Sequence, residues 1–202
     1  MLSNPPRSLR SGGVVLAGIL CTTALAIGQT SNKLEEQVQL CSACHGDNGV
    51  PPEKTTPIIS GQTLGYQYLQ LRDYKSGARK NEVMATVIDQ LDRADLLSLA
   101  EYFSKKPWPL SPAQPAPRQV ALRAARANIA VGCTGCHQGQ WQGEGTQPRL
   151  AGQQREYLEK TMLEFRSGAR GNNPGMTTLM KATPEEDITA LAEYLAGIEI
   201  VR

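Results

Sequence analysis

Cys41, Cys44 and His45 stand in the pattern Cys-x-x-Cys-His, and the same pattern returns at Cys133, Cys136 and His137, each residue 92 positions after its counterpart. In this spacing two thiols can add to the vinyl groups of a porphyrin while the adjacent imidazole reaches its iron, which is the attachment chemistry of a c-type haem. Two copies imply two covalently held haem c groups, one in each of two related halves.

The supply of histidine restricts the other axial position of each iron. The chain contains only His45 and His137, and both belong to the motifs. Bis-histidine iron is thereby excluded unless a partner protein lends a residue, which leaves methionine, a less usual ligand, or an open position. Met84 and Met176 each follow their histidine by 39 residues, whereas Met162 aligns with Leu71 and Met180 with Ile88. An isolated methionine is more often a gap-filling core residue. Equal spacing in two copies selects Met84 and Met176 as the expected ligands, with Met180, one turn beyond Met176, as the rival at the second iron.

The N-terminal 26 residues read as an export signal: Arg7 and Arg10, no acid before Glu35, an apolar run from Val14 to Ile27, and Ala24-Leu25-Ala26 as the cleavage site. The alternative is an uncleaved anchor, but the run is shorter than the roughly 20 residues that span a bilayer. A lipid anchor on Cys21 is disfavoured by Leu20 before it. Cleavage removes Cys21, and with Arg7 and Arg10 gone the 21 basic side chains fall to 19, equal to the 19 acidic ones. Haem propionates then make the holoprotein acidic, and no basic stripe points to a nucleic-acid partner. Export to the periplasm also suits haem attachment to free thiols, and with all four remaining cysteines so used no disulfide is expected. A zinc site lacks a fourth Cys or His to close a tetrahedron, and a thioredoxin-like pair lacks its βαβ setting.

The elements that must position these residues are helices. Leu96, Ala100 and Phe103 recur at i, i+4 and i+7, as do Ile188, Ala192 and Leu195, and no stretch alternates with period two, so the class is all-α. Asp92 is a candidate N-cap, Thr183-Pro-Glu-Glu186 a candidate capping box with proline at the first helical position, and Gly77 and Gly168 candidate C-caps. Helices are also expected before each motif, over 33–40 and 120–131. Five prolines between Lys105 and Pro117 mark a semi-rigid connector. The expected organisation is a signal at 1–26, a first haem domain at 30–106, a linker at 107–118 and a second haem domain at 119–202. The duplication runs through Gly61-Gln62 with Gly152-Gln153, Tyr66 with Tyr157, and Tyr74-Lys-Ser-Gly-Ala-Arg79 with Phe165-Arg-Ser-Gly-Ala-Arg170.

Together with Pro57-Ile-Ile-Ser-Gly61-Gln62 and the closing Ala-Glu-Tyr-Phe helix, these segments resemble one half of a cytochrome c4, a di-haem class I cytochrome c, and Pro148-Arg-Leu-Ala-Gly152-Gln153 belongs to the repeat. The resemblance implies two small helical cytochrome c domains packed about a pseudo-twofold axis, His/Met iron in each, and carbonyls of Pro57 and Pro148 that fix the proximal imidazoles. Gln138, where the first copy has Gly46, departs from the pattern in a surface turn. Two readings stand for Arg79 and Arg170: partners of haem propionates, or solvated side chains after a helix. Tyr66 and Tyr157 either bond a propionate or are amphipathic core residues. Trp108 and Trp141 have no counterparts in the other copy and read as packing at the linker and in a loop.

Iron closed by His and Met exchanges electrons with little rearrangement, whereas substrate chemistry needs an open position. The expected function is that of a periplasmic electron carrier between a donor complex and a terminal oxidase or similar acceptor, rather than an enzyme. The alternative is an electron-accepting di-haem subunit of a periplasmic dehydrogenase oxidising sulfide, thiosulfate or an organic substrate. A di-haem peroxidase is disfavoured, since such enzymes resemble a longer chain and need a haem that can open.

Overall fold

The structure, a computed structural model, describes residue 1 and residues 23–47, 50–110 and 114–199, with side chains in the first helix from residue 32 onward. The expected signal at 1–26 falls almost wholly outside these residues. Among the described residues there are nine helices and no strand, apart from one isolated bridge between Glu144 and Gln147. None of these helices is long and apolar enough to cross a membrane.

The first half contains α1 (Thr23–His45), α2 (Leu64–Lys75), α3 (Glu82–Asp89) and α4 (Arg93–Ser104), and the second contains α5 (Arg118–Val131), α6 (Thr134–His137), α7 (Arg155–Ser167), α8 (Pro174–Ala182) and α9 (Glu185–Ala196). Each half has its own core. Val38, Ile88, Leu91, Leu96, Leu99 and Phe103 fill the first, and Leu158, Phe165, Ile188, Leu191 and Leu195 lead the second. The i, i+4, i+7 residues of α4 and α9 are all buried, so the helical periodicity identified the inward faces. In the second half the small side chains of Ala124 and Ala127 let α5 lie close against α9.

The helix before the motif differs between copies. In the first it runs without a break through Cys41, Cys44 and His45. In the second, Gly132 takes a left-handed conformation, φ +78°, ends α5, and leaves Cys136 and His137 on the separate turn α6. Leu40 stands at the position of Gly132 and continues the helix, because a branched side chain disfavours the left-handed region that glycine enters freely.

Asp92 caps α4 as expected: its carboxylate accepts from the Asp95 N–H at 2.9 Å, and Asp95 returns the bond to the Asp92 N–H at 3.0 Å. Asp95 also meets Lys33 of α1 at 2.6 Å, so one side chain joins the cap to the helix that carries the first motif. Asp92→Ala is expected to cost about 1 kcal/mol, read as a lower midpoint in chemical unfolding. Gly168 is the C-cap of α7, and Gly77 sits one residue beyond the C-cap of α2; both have positive φ.

The capping box expected at Thr183 does not form. The Thr183 hydroxyl donates instead to the Leu179 carbonyl at 2.8 Å, Pro184 occupies the N-cap position rather than the first helical one, and no side chain caps α9. The hydroxyl lies where two helices compete for it, and the open carbonyls at the end of α8 win. Arg166 completes that end by donating to the Met180, Lys181 and Thr183 carbonyls. Glu185, Glu186 and Asp187 place negative charge in the first turn of α9, favourable at the positive end of a helix dipole.

Candidate haem sites

Both motif histidines are buried and held in the same way. The Nδ1–H of His45 donates to the Pro57 carbonyl at 2.8 Å, and that of His137 to the Pro148 carbonyl at 3.0 Å. A carbonyl can only accept, so Nδ1 carries the proton and Nε2 keeps its lone pair for a metal. Burial lowers the affinity of both imidazoles for a second proton, against the opposing pull of the carbonyls, which keeps them in the neutral, ligating form.

All four motif thiols are free, the first of each pair half-buried and the second exposed. Burial pushes the Cys41 thiol up to about 11 and the Cys133 thiol upward as well. Cys41 and Met84 both pack against the first core, and Cys133 and Met176 against the second. Each methionine lies in the first turn of its helix, where its N–H donates to an asparagine cap: Asn81 for Met84 at 2.9 Å and Asn173 for Met176 at 3.0 Å. Sequence reasoning did not single out these caps, although an asparagine three residues before the methionine in both copies signalled them. Met180, the rival, is only 2% exposed in the centre of the second core, and its counterpart Ile88 is equally buried in the first.

Gln138 departs further from the pattern than a surface substitution would. Its backbone has φ +68° and ψ +161°, a region occupied almost solely by glycine and costing on the order of 1–3 kcal/mol. Trp141, also at positive φ, is buried in the second core, and its carbonyl accepts from the Leu150 and Ala151 N–H groups. Trp108 packs over Gly61 at the linker; a Cβ on Gly61 would come within 2.6 Å of the Trp108 nitrogen.

The halves meet through contacts that the duplication makes reciprocal. Gln62 Oε1 accepts from the Arg149 N–H at 2.7 Å and its Nε2 donates to the Arg149 carbonyl at 3.0 Å. Gln153 grips Ile58, the counterpart of Arg149, with distances of 2.8 and 3.0 Å. Arg79 lies over the Tyr74 ring and donates to Tyr157 in the other half, while Arg170 lies over Phe165 and donates to Tyr66. Both arginines are buried, so the solvated reading is corrected: each crosses the interface to the other half's tyrosine.

Symmetry ends at Gln70, whose oxygen accepts from Arg79, Arg170 and Asn172 together; Thr161 stands at its repeat position. The partners of both guanidiniums are therefore phenols and carboxamides, not carboxylates. Burial raises the Tyr157 phenol, but Arg79 and Arg170 outweigh it and draw it down to about 7. Arg170 Nη1 is buried with no hydrogen-bond partner among the described residues. A buried cation wants an anionic acceptor, and a carboxylate such as a haem propionate fits this donor set. Paired thiols and a neutral imidazole with Nε2 open fit the rest of the group, which supplies one-electron redox chemistry when bound.

A family model described as Cytochrome c matches residues 122–199. Cytochrome c4 of Pseudomonas aeruginosa is 32% identical over 176 residues, covering 81% of this chain and 86% of the relative. This chain belongs to the cytochrome c4 family. The crystal structure of reduced recombinant cytochrome c4 from Pseudomonas stutzeri superposes with a TM-score of 0.73 at 29% identity, covering 83% of this chain and 98% of that one. A protein named thiosulfate dehydrogenase electron acceptor, from Stutzerimonas stutzeri, is 30% identical over 169 residues, 78% of each chain. As a cytochrome c4, the protein is a di-haem electron-transfer protein with haem c held covalently at its two Cys-x-x-Cys-His motifs.

Proposed function

We propose that this cytochrome c4 is a periplasmic carrier with two low-spin irons, one ligated by His45 and Met84 and the other by His137 and Met176, moving electrons from a respiratory donor complex to a terminal oxidase or similar acceptor. The observation that carries this reading is the equivalence of the two copies: each pairs a buried, carbonyl-held histidine with an asparagine-capped methionine beside the same core as its motif cysteine. Iron closed on both sides favours electron transfer over substrate chemistry. The N-terminal segment supports export, with cleavage after Ala26.

A second reading makes the chain the electron-accepting subunit of a dehydrogenase complex, and the relative named thiosulfate dehydrogenase electron acceptor favours it. The fold serves both roles. Purification of the tagged protein from its native periplasm separates them. A free carrier is expected to elute without a stoichiometric partner and with its N-terminus after Ala26; a catalytic chain in equal amount would overturn the carrier reading.

A further inference from the structure

We propose that each domain tunes the axial histidine of the other: Gln153 acts through the 57–58 peptide on His45, and Gln62 acts through the 148–149 peptide on His137. This rests on the two histidines ligating iron, as proposed above.

The Pro57 carbonyl that accepts from His45 Nδ1 and the Ile58 N–H that donates to Gln153 Oε1 at 2.8 Å are two ends of one peptide group. On the other side, the Pro148 carbonyl accepts from His137 Nδ1, and the N–H of the same peptide unit, on Arg149, donates to Gln62 Oε1 at 2.7 Å. Each relay is thus imidazole, peptide and carboxamide in series, and each crosses the domain boundary once. Both glutamines are 3% exposed, so water does not compete for these bonds.

The orientation of each carboxamide is fixed by its surroundings. Gln62 Oε1 also accepts from the Thr63 N–H and Gln153 Oε1 from the Gln154 N–H, each at 2.9 Å. A flipped amide would set its NH₂ against two N–H donors. An N–H that donates makes its own carbonyl a stronger acceptor, by roughly 10–30% per bond in a chain. The strengthened carbonyl pulls harder on the Nδ1 proton, raises the basicity of Nε2 and favours ferric iron. Each interface glutamine therefore lowers the reduction potential of the haem in the opposite domain. Adhesive contacts alone would not need to land on the one peptide that each histidine holds.

The test compares haem-loaded wild type with Gln153→Met, Gln62→Met, Gln153→Glu and Gln154→Ala. The Gln154 side chain also bonds across the interface, from its Nε2 to the Pro51 carbonyl at 3.3 Å, but touches neither relay, and alanine there keeps the backbone N–H that donates to Gln153 Oε1. The readouts are redox titration resolved by haem and the NMR shifts of the histidine Nδ1 protons. Gln153→Met is expected to raise the potential of the first-domain haem and move the His45 proton upfield, leaving His137 in place. Gln62→Met is expected to do the reverse, Gln153→Glu to keep the His45 proton at or downfield of wild type, and Gln154→Ala to move neither.

A shift confined to the domain that bears the substitution, an equal shift in both, or an equal effect from Gln154→Ala would overturn the proposal. Should Gln153→Met not fold, the glutamate variant and the reciprocal Gln62→Met give the same decision. A wild-type spectrum without histidine-ligated low-spin iron would instead overturn the functional reading beneath it.

Discussion

Met176→Ala is expected to abolish the methionine-to-iron charge-transfer band of one haem and leave the other, while Met180→Ala keeps both bands and destabilises the second domain. The two methionines lie four residues apart on α8, so the contrast separates a ligand from a core residue within one element. Met180 is buried in the same core cluster as Leu191 and Leu195, and its loss leaves a cavity. Methionine-to-alanine changes at such sites cost about 2–5 kcal/mol.

Met176 is only half-buried, and its N–H is held by Asn173 whatever the side chain, so alanine there preserves the helix start. The same substitution at Met84 is expected to remove the band of the other haem. Near-infrared absorption and chemical unfolding read both halves of the prediction. Loss of a band in Met180→Ala, with both retained in Met176→Ala, would reassign the second ligand.

Exchanging the residues that follow the two histidines is expected to give effects of opposite sign. Gly46 has φ +80°, and a Cβ there would lie 2.3 Å from the Val50 oxygen and 2.9 Å from its carbonyl carbon. Both are backbone atoms that cannot turn aside. Gly46→Gln therefore carries conformational strain and a backbone collision, together about 3 kcal/mol or more. In the second domain the loop from Gln138 to Gln147 moves the crowded point to Gly143, where a Cβ would approach the Pro148 carbonyl carbon within 2.4 Å. Gln138 has the space but keeps the strained backbone. Gln138→Gly is expected to stabilise that domain by about 1 kcal/mol, the relieved strain being partly offset by the greater freedom of glycine in the unfolded chain. Thermal unfolding followed at each haem checks both; destabilisation by Gln138→Gly would show that the side chain contributes more than its backbone costs.

Much of the site was legible because its chemistry is local or duplicated. The haem motifs need only five consecutive residues, and the helix faces of α4 and α9 follow from a 3.6-residue period that any single segment displays. The repeat then sorted the methionines: Met180 and Ile88 proved to be equivalent core positions, as their alignment required. Where two structures compete for one group, the sequence was ambiguous. Thr183 matched a capping box for the helix after it, yet its hydroxyl serves the helix before it, because pairing a half-buried carbonyl outweighs a cap that acidic side chains partly replace.

What the chain by itself determined is the pair of haem motifs, the helical class and the duplication. The tertiary structure alone decided what Gln62, Gln153, Arg79 and Arg170 do. Each binds a residue at least 78 positions away, in the other half of the chain. No local pattern encodes such a partner. A buried carboxamide or guanidinium takes its meaning from the donors and acceptors that surround it, and those are assembled only when the two domains pack.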